Sequence, residues 1–275
     1  MTKICRTCKA VNNLNNITSK DKKQKLSKKD LNFLFPPNFN PPKLQDIKVK
    51  KPSYYNTQDT LNLKKTDAGK FVIYYASNLT IECGKVPLNK DSYKNMNNYG
   101  VSKLDKDGKC NIFLKCPNIY REKNRTYYPH VHFVLSNSNN TQWVKKLYTK
   151  TITCHINKSE LKQAIKNNCT IILNALSLKY YIKNRIPNSY SLPYNLLNEL
   201  ENKDIIKYIE SLVLNYPRLH KLVKDKKLDI LDIPIITYCY DESCDASKQL
   251  VEYLIKIGFK NIKEYSYGIK GWLGH

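Results

Sequence analysis

The sequence lacks long apolar runs and has few glycines. No hydrophobic segment approaches the ~18 consecutive apolar residues of a membrane-spanning helix, so we expect no membrane partner. Met1 to Lys3 lead into no apolar signal core, which favours a reducing, cytoplasmic location for the nine cysteines. Only 8 residues are glycine, whereas Lys, Asn, Ile and Tyr are abundant. This bias is typical of an AT-rich genome, as in protists, some bacteria or large cytoplasmic DNA viruses. For a viral protein the location would be the host cytoplasm or the virion.

Acidic residues are also scarce. The chain has 47 Lys and Arg against 23 Asp and Glu, a formal charge of +24. The net charge is +11 over residues 1–66, +8 over 67–157 and +5 over 158–275. Such an excess favours non-specific binding of nucleic acid through counterion release. No nucleic-acid-binding motif accompanies it, so lysine bias alone is the competing explanation.

Residues 1–66 predict a flexible basic arm, because they show no sustained apolar periodicity. The segment contains an asparagine cluster at 12–16, a lysine-rich stretch at 20–29 and a proline-rich stretch at 36–42. Cys5 and Cys8 have the spacing of half a zinc site, but no second pair lies nearby, so we assign no metal there.

Residues 67–157 predict a β-rich domain of unknown role, sandwich-like or barrel-like. Its strand-like runs, separated by turn residues, are 71–75, 79–83, 111–114, 131–135 and 148–156. His130 and His132 alternate onto one face of a strand. Such a pair can bind a metal, but packing or hydrogen bonding is its commoner role, and we assign no metal or other cofactor to the chain.

The most informative segment runs from Pro234 to Trp272. Ile235 to Tyr238 form a β-branched and aromatic run behind a proline, as expected of a central parallel strand, and Cys239 follows it. Apolar residues then recur at helical spacing from 246 to 258, so the loop leads into a helix amino terminus. Because unpaired N–H groups there stabilise a thiolate, we expect the pKa of Cys239 to lie below the ~8.5 of a free cysteine.

The last 118 residues resemble the rhodanese-like (sulfurtransferase) family. The ordered features that carry the resemblance are a helix at 160–165, a strand at 170–176, Tyr181, a turn at 185–189, Leu192-Pro193, Cys239 and the glycine- and tryptophan-containing segment 268–272. The resemblance implies an α/β fold over residues 158–275, with a parallel sheet flanked by helices. It also implies that Cys239 carries a persulfide and that Tyr240, Asp241, Glu242 and Ser243 form the substrate-binding loop.

The cysteine loop departs from the family's usual pattern, Cys-x-x-Gly-x-Arg. Here Cys244 stands where the arginine would be, and Asp241 and Glu242 place two carboxylates in the loop. Carboxylates without a loop cation disfavour an anionic donor such as thiosulfate and favour a thiol or protein persulfide. Asp245 occupies the position at which a related cysteine phosphatase needs arginine, which argues against phosphatase activity.

Three functions are open at this point. The first is sulfur transfer through Cys239, with Cys244 as a second catalytic cysteine that resolves the persulfide. The second is a catalytically silent rhodanese-fold scaffold, which could form a homo-oligomer or a virion component. The third is a thiol–disulfide redox protein that uses both cysteines. The sulfur donor and the thiol acceptor are not specified by the sequence.

Overall fold

The computed structural model describes residues 34–36, 39–78, 83–94 and 96–274. Cys5, Cys8, the lysine-rich stretch and most of the predicted strand at 79–83 lie outside the described residues. The chain divides into two compact units, one of Met1–Leu79 with Leu88–Ile152 and one of Thr80–Pro87 with Thr153–His275. No helix among the described residues has the length and apolar character that a membrane crossing requires.

The first unit is built from antiparallel strands, which confirms the predicted β-rich character. Its elements are β1 (Thr57–Asn62), β2 (Phe71–Ala76), α1 (Asn89–Ser92), β3 (Tyr99–Lys103), β4 (Lys109–Leu114), β5 (Tyr120–Glu122), β6 (Arg125–Tyr127), β7 (His130–Leu135) and β8 (Tyr148–Thr151). The largest sheet has the order β3-β2-β7-β8, and β1-β4 and β5-β6 form ribbons. Successive residues of β2 point to opposite faces of the sheet. Val72 packs into one apolar cluster and Ile73 into another, so both faces of the sheet are covered.

The predicted arm includes residues that belong to this unit. Leu34 and Phe35 are buried, and β1 pairs with β4 from Thr57 opposite Leu114 to Asn62 opposite Lys109. The assignment of residues 57–62 to a flexible arm is therefore wrong. Backbone hydrogen bonds hold β1 in place, and they require little apolar periodicity in its side chains.

The second unit has one parallel sheet flanked by helices, as the sequence predicted. Its elements are β9 (Cys154–His155), α2 (Lys158–Asn167), β10 (Ile171–Asn174), α3 (Leu178–Lys183), β11 (Ser189–Ser191), α4 (Asn202–Val213), α5 (Pro217–Lys224), β12 (Ile235–Tyr238), α6 (Ala246–Lys256), β13 (Ile262–Tyr265) and α7 (Gly268–Leu273). The strand order is β11-β10-β12-β13-β9, and every pair is parallel.

The central strand β12 is apolar on both faces. Ile235 packs into the cluster on one side of the sheet, while Ile236 and Tyr238 pack into the cluster on the other. A parallel strand that is covered on both sides has a continuous run of hydrophobic residues in its sequence. The bounds of β12 could therefore be predicted from the sequence. The residue after such a strand lies at the carboxyl edge of the sheet, where α/β proteins place their sites.

A disulfide joins Cys83 to Cys169 within the second unit, with a Cα–Cα distance of 5.4 Å. Cys83 and Val86 pack against the main apolar core of this unit, so the short segment around them is anchored there. This pair differs from the expectation of reduced cysteines. The free cysteines among the described residues are Cys110, Cys239 and Cys244.

Candidate functional site

Cys239 is the first residue after β12, and its side chain is fully buried. The preceding residue, Tyr238, is opposite Asn174 of β10 and Tyr265 of β13. The chain then leaves the sheet, forms a loop over residues 240–245 and enters α6. The structure thus has Cys239 at the carboxyl end of the central strand, as the sequence predicts.

Hydrogen bonds to the Asp241 side chain stabilise the loop that follows Cys239. One carboxylate oxygen of Asp241 accepts hydrogen bonds from the hydroxyl and the N–H of Ser243, at 2.7 and 3.1 Å. These bonds hold the pKa of Asp241 below its usual value. Tyr240 and Glu242 are exposed, so the predicted loop residues form a surface above a buried thiol.

The loop is also supported by α7. The N–H groups of Ile269 and Lys270 donate to the carbonyl oxygens of Cys239 and Tyr240, each at 3.0 Å. Gly268 has a φ of +57°, and a Cβ atom there would lie 2.4 Å from the carbonyl group of Tyr240 and 2.6 Å from the carbonyl oxygen of Cys239. Only glycine allows α7 to approach the loop this closely.

Hydrogen-bond acceptors surround the sulfur of Cys239. The thiol donates to the carbonyl oxygen of Cys244 at 3.0 Å, and the carbonyl oxygen of Asp241 lies at 3.7 Å. Burial raises the pKa of Cys239 to about 11, although the hydroxyl and N–H of Ser247 partly offset this effect. The expected lowering of this pKa is wrong, because the thiol is buried and the loop turns carbonyl groups towards it.

A chain of hydrogen bonds leads from Cys239 to a buried carboxylate. Its Sγ atom lies 3.2 Å from Oγ of Ser247, and that hydroxyl donates to Oε1 of Glu264 at 2.6 Å. Ser247 is fully buried and Glu264 is 5% exposed. Oε2 of Glu264 lies 3.5 Å from Nδ1 of His155, whose side chain is 35% exposed. The thiol has one proton. When the thiol turns from the Cys244 carbonyl towards Ser247, this hydroxyl can accept the proton's hydrogen bond while it donates to the carboxylate, so the network offers a route for the thiol proton.

Three secondary-structure elements contribute the partners of Cys239 in this hydrogen-bond network. Ser247 is the second residue of α6, and Glu264 of β13 is opposite His155 of β9. The residues that the sequence predicts for this site do not include Ser247, Glu264 or His155. One signal was available, because strand alternation places Glu264 on the same side as the buried Ile262. A carboxylate at a core position usually has a specific partner.

We expect alkylation of Cys239 to be slow near pH 7 and to rise about tenfold per pH unit until the pH approaches about 11, because only the thiolate reacts. Cys244 is half-buried and should react faster near pH 7. The folded chain retains the Cys239 proton at pH values where an unfolded cysteine has lost it. The stability that this thiol contributes is therefore complete below ~8.5 and declines as pH rises towards about 11.

Timed reaction with iodoacetamide, followed by peptide mass spectrometry, measures both rates. In concentrated urea the rates of the two cysteines should converge. Equal labelling of Cys239 and Cys244 in the folded protein near pH 7 would contradict a buried, protonated Cys239.

The family model described as "Rhodanese-like domain" matches residues 157–275. A human single-domain sulfurtransferase is 12% identical, covering 44% of this chain and 96% of the human one, with a TM-score of 0.32. A single-domain sulfurtransferase of Saccharomyces cerevisiae is 14% identical over 45% of this chain and 90% of the yeast one, with a TM-score of 0.32. A rhodanese-related protein of Thermoplasma volcanium is 23% identical over 44% of this chain and 90% of its own, with a TM-score of 0.29. A comparison with curated proteins gives no match.

The family match begins beside α2 and extends through α7. It includes the complete cysteine loop and leaves the β-rich unit without a family. The parallel sheet and the family match agree, and the C-terminal part of the chain, residues 157–275, is a rhodanese-like domain.

Proposed function

We propose that the chain is a sulfurtransferase that carries a sulfane sulfur as a persulfide on Cys239. The observation that carries this proposal is the free thiol at the carboxyl end of the central strand, connected through Ser247 to the buried carboxylate of Glu264. The family match supports the class of reaction. The raised pKa of Cys239 makes a proton acceptor necessary near neutral pH.

The reaction has two displacement steps. First, the Cys239 proton passes to Glu264 through Ser247 while Sγ attacks the outer sulfur of a donor persulfide, R–S–S–H. The donor's S–S bond breaks, a new bond forms between Sγ and the transferred sulfur, and the released thiolate is protonated to R–S–H. Second, an acceptor thiolate attacks that outer sulfur, becomes a persulfide and leaves Cys239 as a thiolate. One S–S bond replaces another in each step, so no external oxidant or reductant is needed.

The charge of the loop favours a thiol persulfide as the donor. Residues 240–245 contain Asp241, Glu242 and Asp245 and no Lys or Arg. An anion such as thiosulfate would approach these carboxylates without a cation in the loop to offset the repulsion. A low-molecular-weight or protein persulfide has a smaller charge and can rest its organic part against the exposed Tyr240 ring.

A catalytically silent scaffold is the competing function, and the burial of Cys239 favours it. A fully buried thiol that donates to a carbonyl oxygen can be a packing group with no chemistry. The two functions differ in one observable, which is whether any sulfane donor adds sulfur to Cys239.

We expect one sulfur atom, about 32 Da, to be added when the full chain is incubated with a cysteine persulfide or a polysulfide, and less addition with thiosulfate. Intact-mass and peptide mass spectrometry measure the adduct. Cys239→Ser should abolish it, whereas the matched variant Cys244→Ser should retain it. An adduct that persists in Cys239→Ser would show that the nucleophile is another residue. No adduct with any of the three donors would favour the silent scaffold, and a loss of about 2 Da that needs both cysteines would favour the redox protein.

A further inference from the structure

Two buried histidines of the β-rich unit face each other. His130 and His132 lie two residues apart on β7, are 5% and 4% exposed, and have their Nε2 atoms 3.2 Å apart. Strand alternation puts both rings on the same side of the sheet. Neither ring contributes to the chemistry proposed for Cys239, and such close convergence of two buried imidazole nitrogens needs a physical explanation.

The other nitrogen of each ring contacts an oxygen of the protein. Nδ1 of His130 lies 2.6 Å from the carbonyl oxygen of Tyr128, which can only accept, so this nitrogen carries the proton. Nδ1 of His132 lies 2.9 Å from Oγ1 of Thr149, which can accept a hydrogen bond from it. With its proton on Nδ1, a neutral imidazole has its lone pair on Nε2, and the two Nε2 atoms are the ones that converge here.

A phenol oxygen adjoins the pair. The hydroxyl of Tyr120, on β5, lies 3.1 Å from Nε2 of His130. Among the described residues, no three His, Cys, Asp or Glu side chains are grouped closely enough to hold a metal, so a site at this point needs a third ligand of another type. The Tyr120 phenol is the oxygen that contacts Nε2 of His130. The rings of Tyr75, Tyr93 and Tyr127 pack around these three residues and limit the access of water.

The separation of the nitrogens fits coordination of one ion. Two imidazole nitrogens about 2.0–2.1 Å from a tetrahedral ion would be roughly 3.3–3.4 Å apart. The observed 3.2 Å is close to this value.

We propose that His130, His132 and Tyr120 form a binding site for a divalent transition-metal ion of the kind that imidazole prefers, with zinc as the first ion to test. The tyrosine oxygen binds as the phenolate and loses its proton to solvent when the metal binds. The bound ion would link β5 to β7 and so hold the β5–β6 ribbon against the four-stranded sheet. This site does not depend on the function proposed for Cys239.

The competing arrangement is a hydrogen bond without a metal. In it, Nε2 of His132 donates to Nε2 of His130, and the Thr149 hydroxyl donates to Nδ1 of His132. This arrangement predicts no metal binding.

The test uses the full chain without an affinity tag, with Cys5→Ser and Cys8→Ser in every sample to remove the other metal-like spacing. Protein is dialysed against zinc, freed of unbound metal by gel filtration and analysed for bound zinc per chain. We expect about one zinc that is lost in His130→Gln/His132→Gln and bound at least tenfold more weakly in Tyr120→Phe. The matched control His220→Gln removes an exposed histidine and should retain the zinc.

Two further measurements keep the proposal open to refutation if the double variant fails to fold. Cobalt added to the protein that retains His130 and His132 should give visible absorption bands typical of tetrahedral coordination. The Tyr120→Phe variant should change these bands. Zinc should also raise the melting temperature, and a chelator should reverse the increase. The metal site would be overturned if the folded double variant bound as much zinc as the protein with both histidines. It would also be overturned if the protein with both histidines showed neither bound zinc nor cobalt bands. Either result would leave the hydrogen-bonded pair.

Discussion

Replacing Gly268 with alanine is expected to destabilise the rhodanese-like domain by about 3 kcal/mol or more and to prevent sulfur loading of Cys239. An L-residue in the left-handed region costs about 1–2 kcal/mol by itself. The added Cβ would also lie 2.4 Å from the carbonyl group of Tyr240, a backbone contact that no side-chain rotation can relieve. Relief requires α7 to move away from the loop, which breaks the bonds from Ile269 and Lys270. Chemical denaturation and the mass assay measure the two effects.

Gly274→Ala is the matched control, because it has the same change at the other end of α7. Gly274 also has a positive φ, +91°, but a Cβ atom there has no neighbour within 4 Å. This variant should show only the backbone cost, and its Cys239 should load sulfur normally. If the two alanine variants are equally stable and equally active, the close contact between α7 and the cysteine loop is not required.

Glu264→Gln is expected to slow the loading of Cys239 with a persulfide by about 10²-fold near pH 7, because glutamine cannot accept the thiol proton. Ser247→Ala should have a similar effect, since it interrupts the same route at its first step. The double variant should be little slower than either single variant, as expected for residues that act through one path. Rates of mass increase under a fixed donor concentration provide the comparison.

The pH dependence separates a lost proton acceptor from a distorted site. As the pH rises towards about 11, hydroxide removes the Cys239 proton directly, so the deficit of Glu264→Gln should shrink. A deficit that stays constant with pH would indicate a packing defect. Glu252→Gln, which alters an exposed carboxylate on α6, should load at the normal rate. Normal loading by Glu264→Gln, together with none by Cys239→Ser, would reject the proton route and retain the nucleophile.

The predictable parts of the site were those that local sequence determines. Ile235 to Tyr238 form an apolar run and the following helix has its own periodicity, so the position of Cys239 between them followed from adjacent residues. Ser247, Glu264 and His155 meet only because β13 is paired with β9 and α6 packs on the sheet. No spacing in the sequence encodes that register.

The predicted lowering of the Cys239 pKa was wrong for a related reason. The sequence indicates that a helix follows the loop, but the direction of each loop carbonyl depends on backbone angles within the loop. Here the carbonyl oxygens of Asp241 and Cys244 face the sulfur. Burial then outweighs the opposing effect of Ser247 on this pKa. The strand β1 escaped prediction because it is held through backbone bonds to β4, which leave little trace in side-chain type.

The Cys83–Cys169 disulfide makes the intervening chain a covalent ring that contains β3 to β9. A protease that cuts once inside this ring leaves a single covalent molecule until a reductant separates the pieces, so gels without reductant would hide the cut. Persulfides and the thiols they release also attack disulfides. The reagents that load Cys239 can therefore also open the ring, and each opening by reduction adds two hydrogens, about 2 Da, beside the mass of the transferred sulfur.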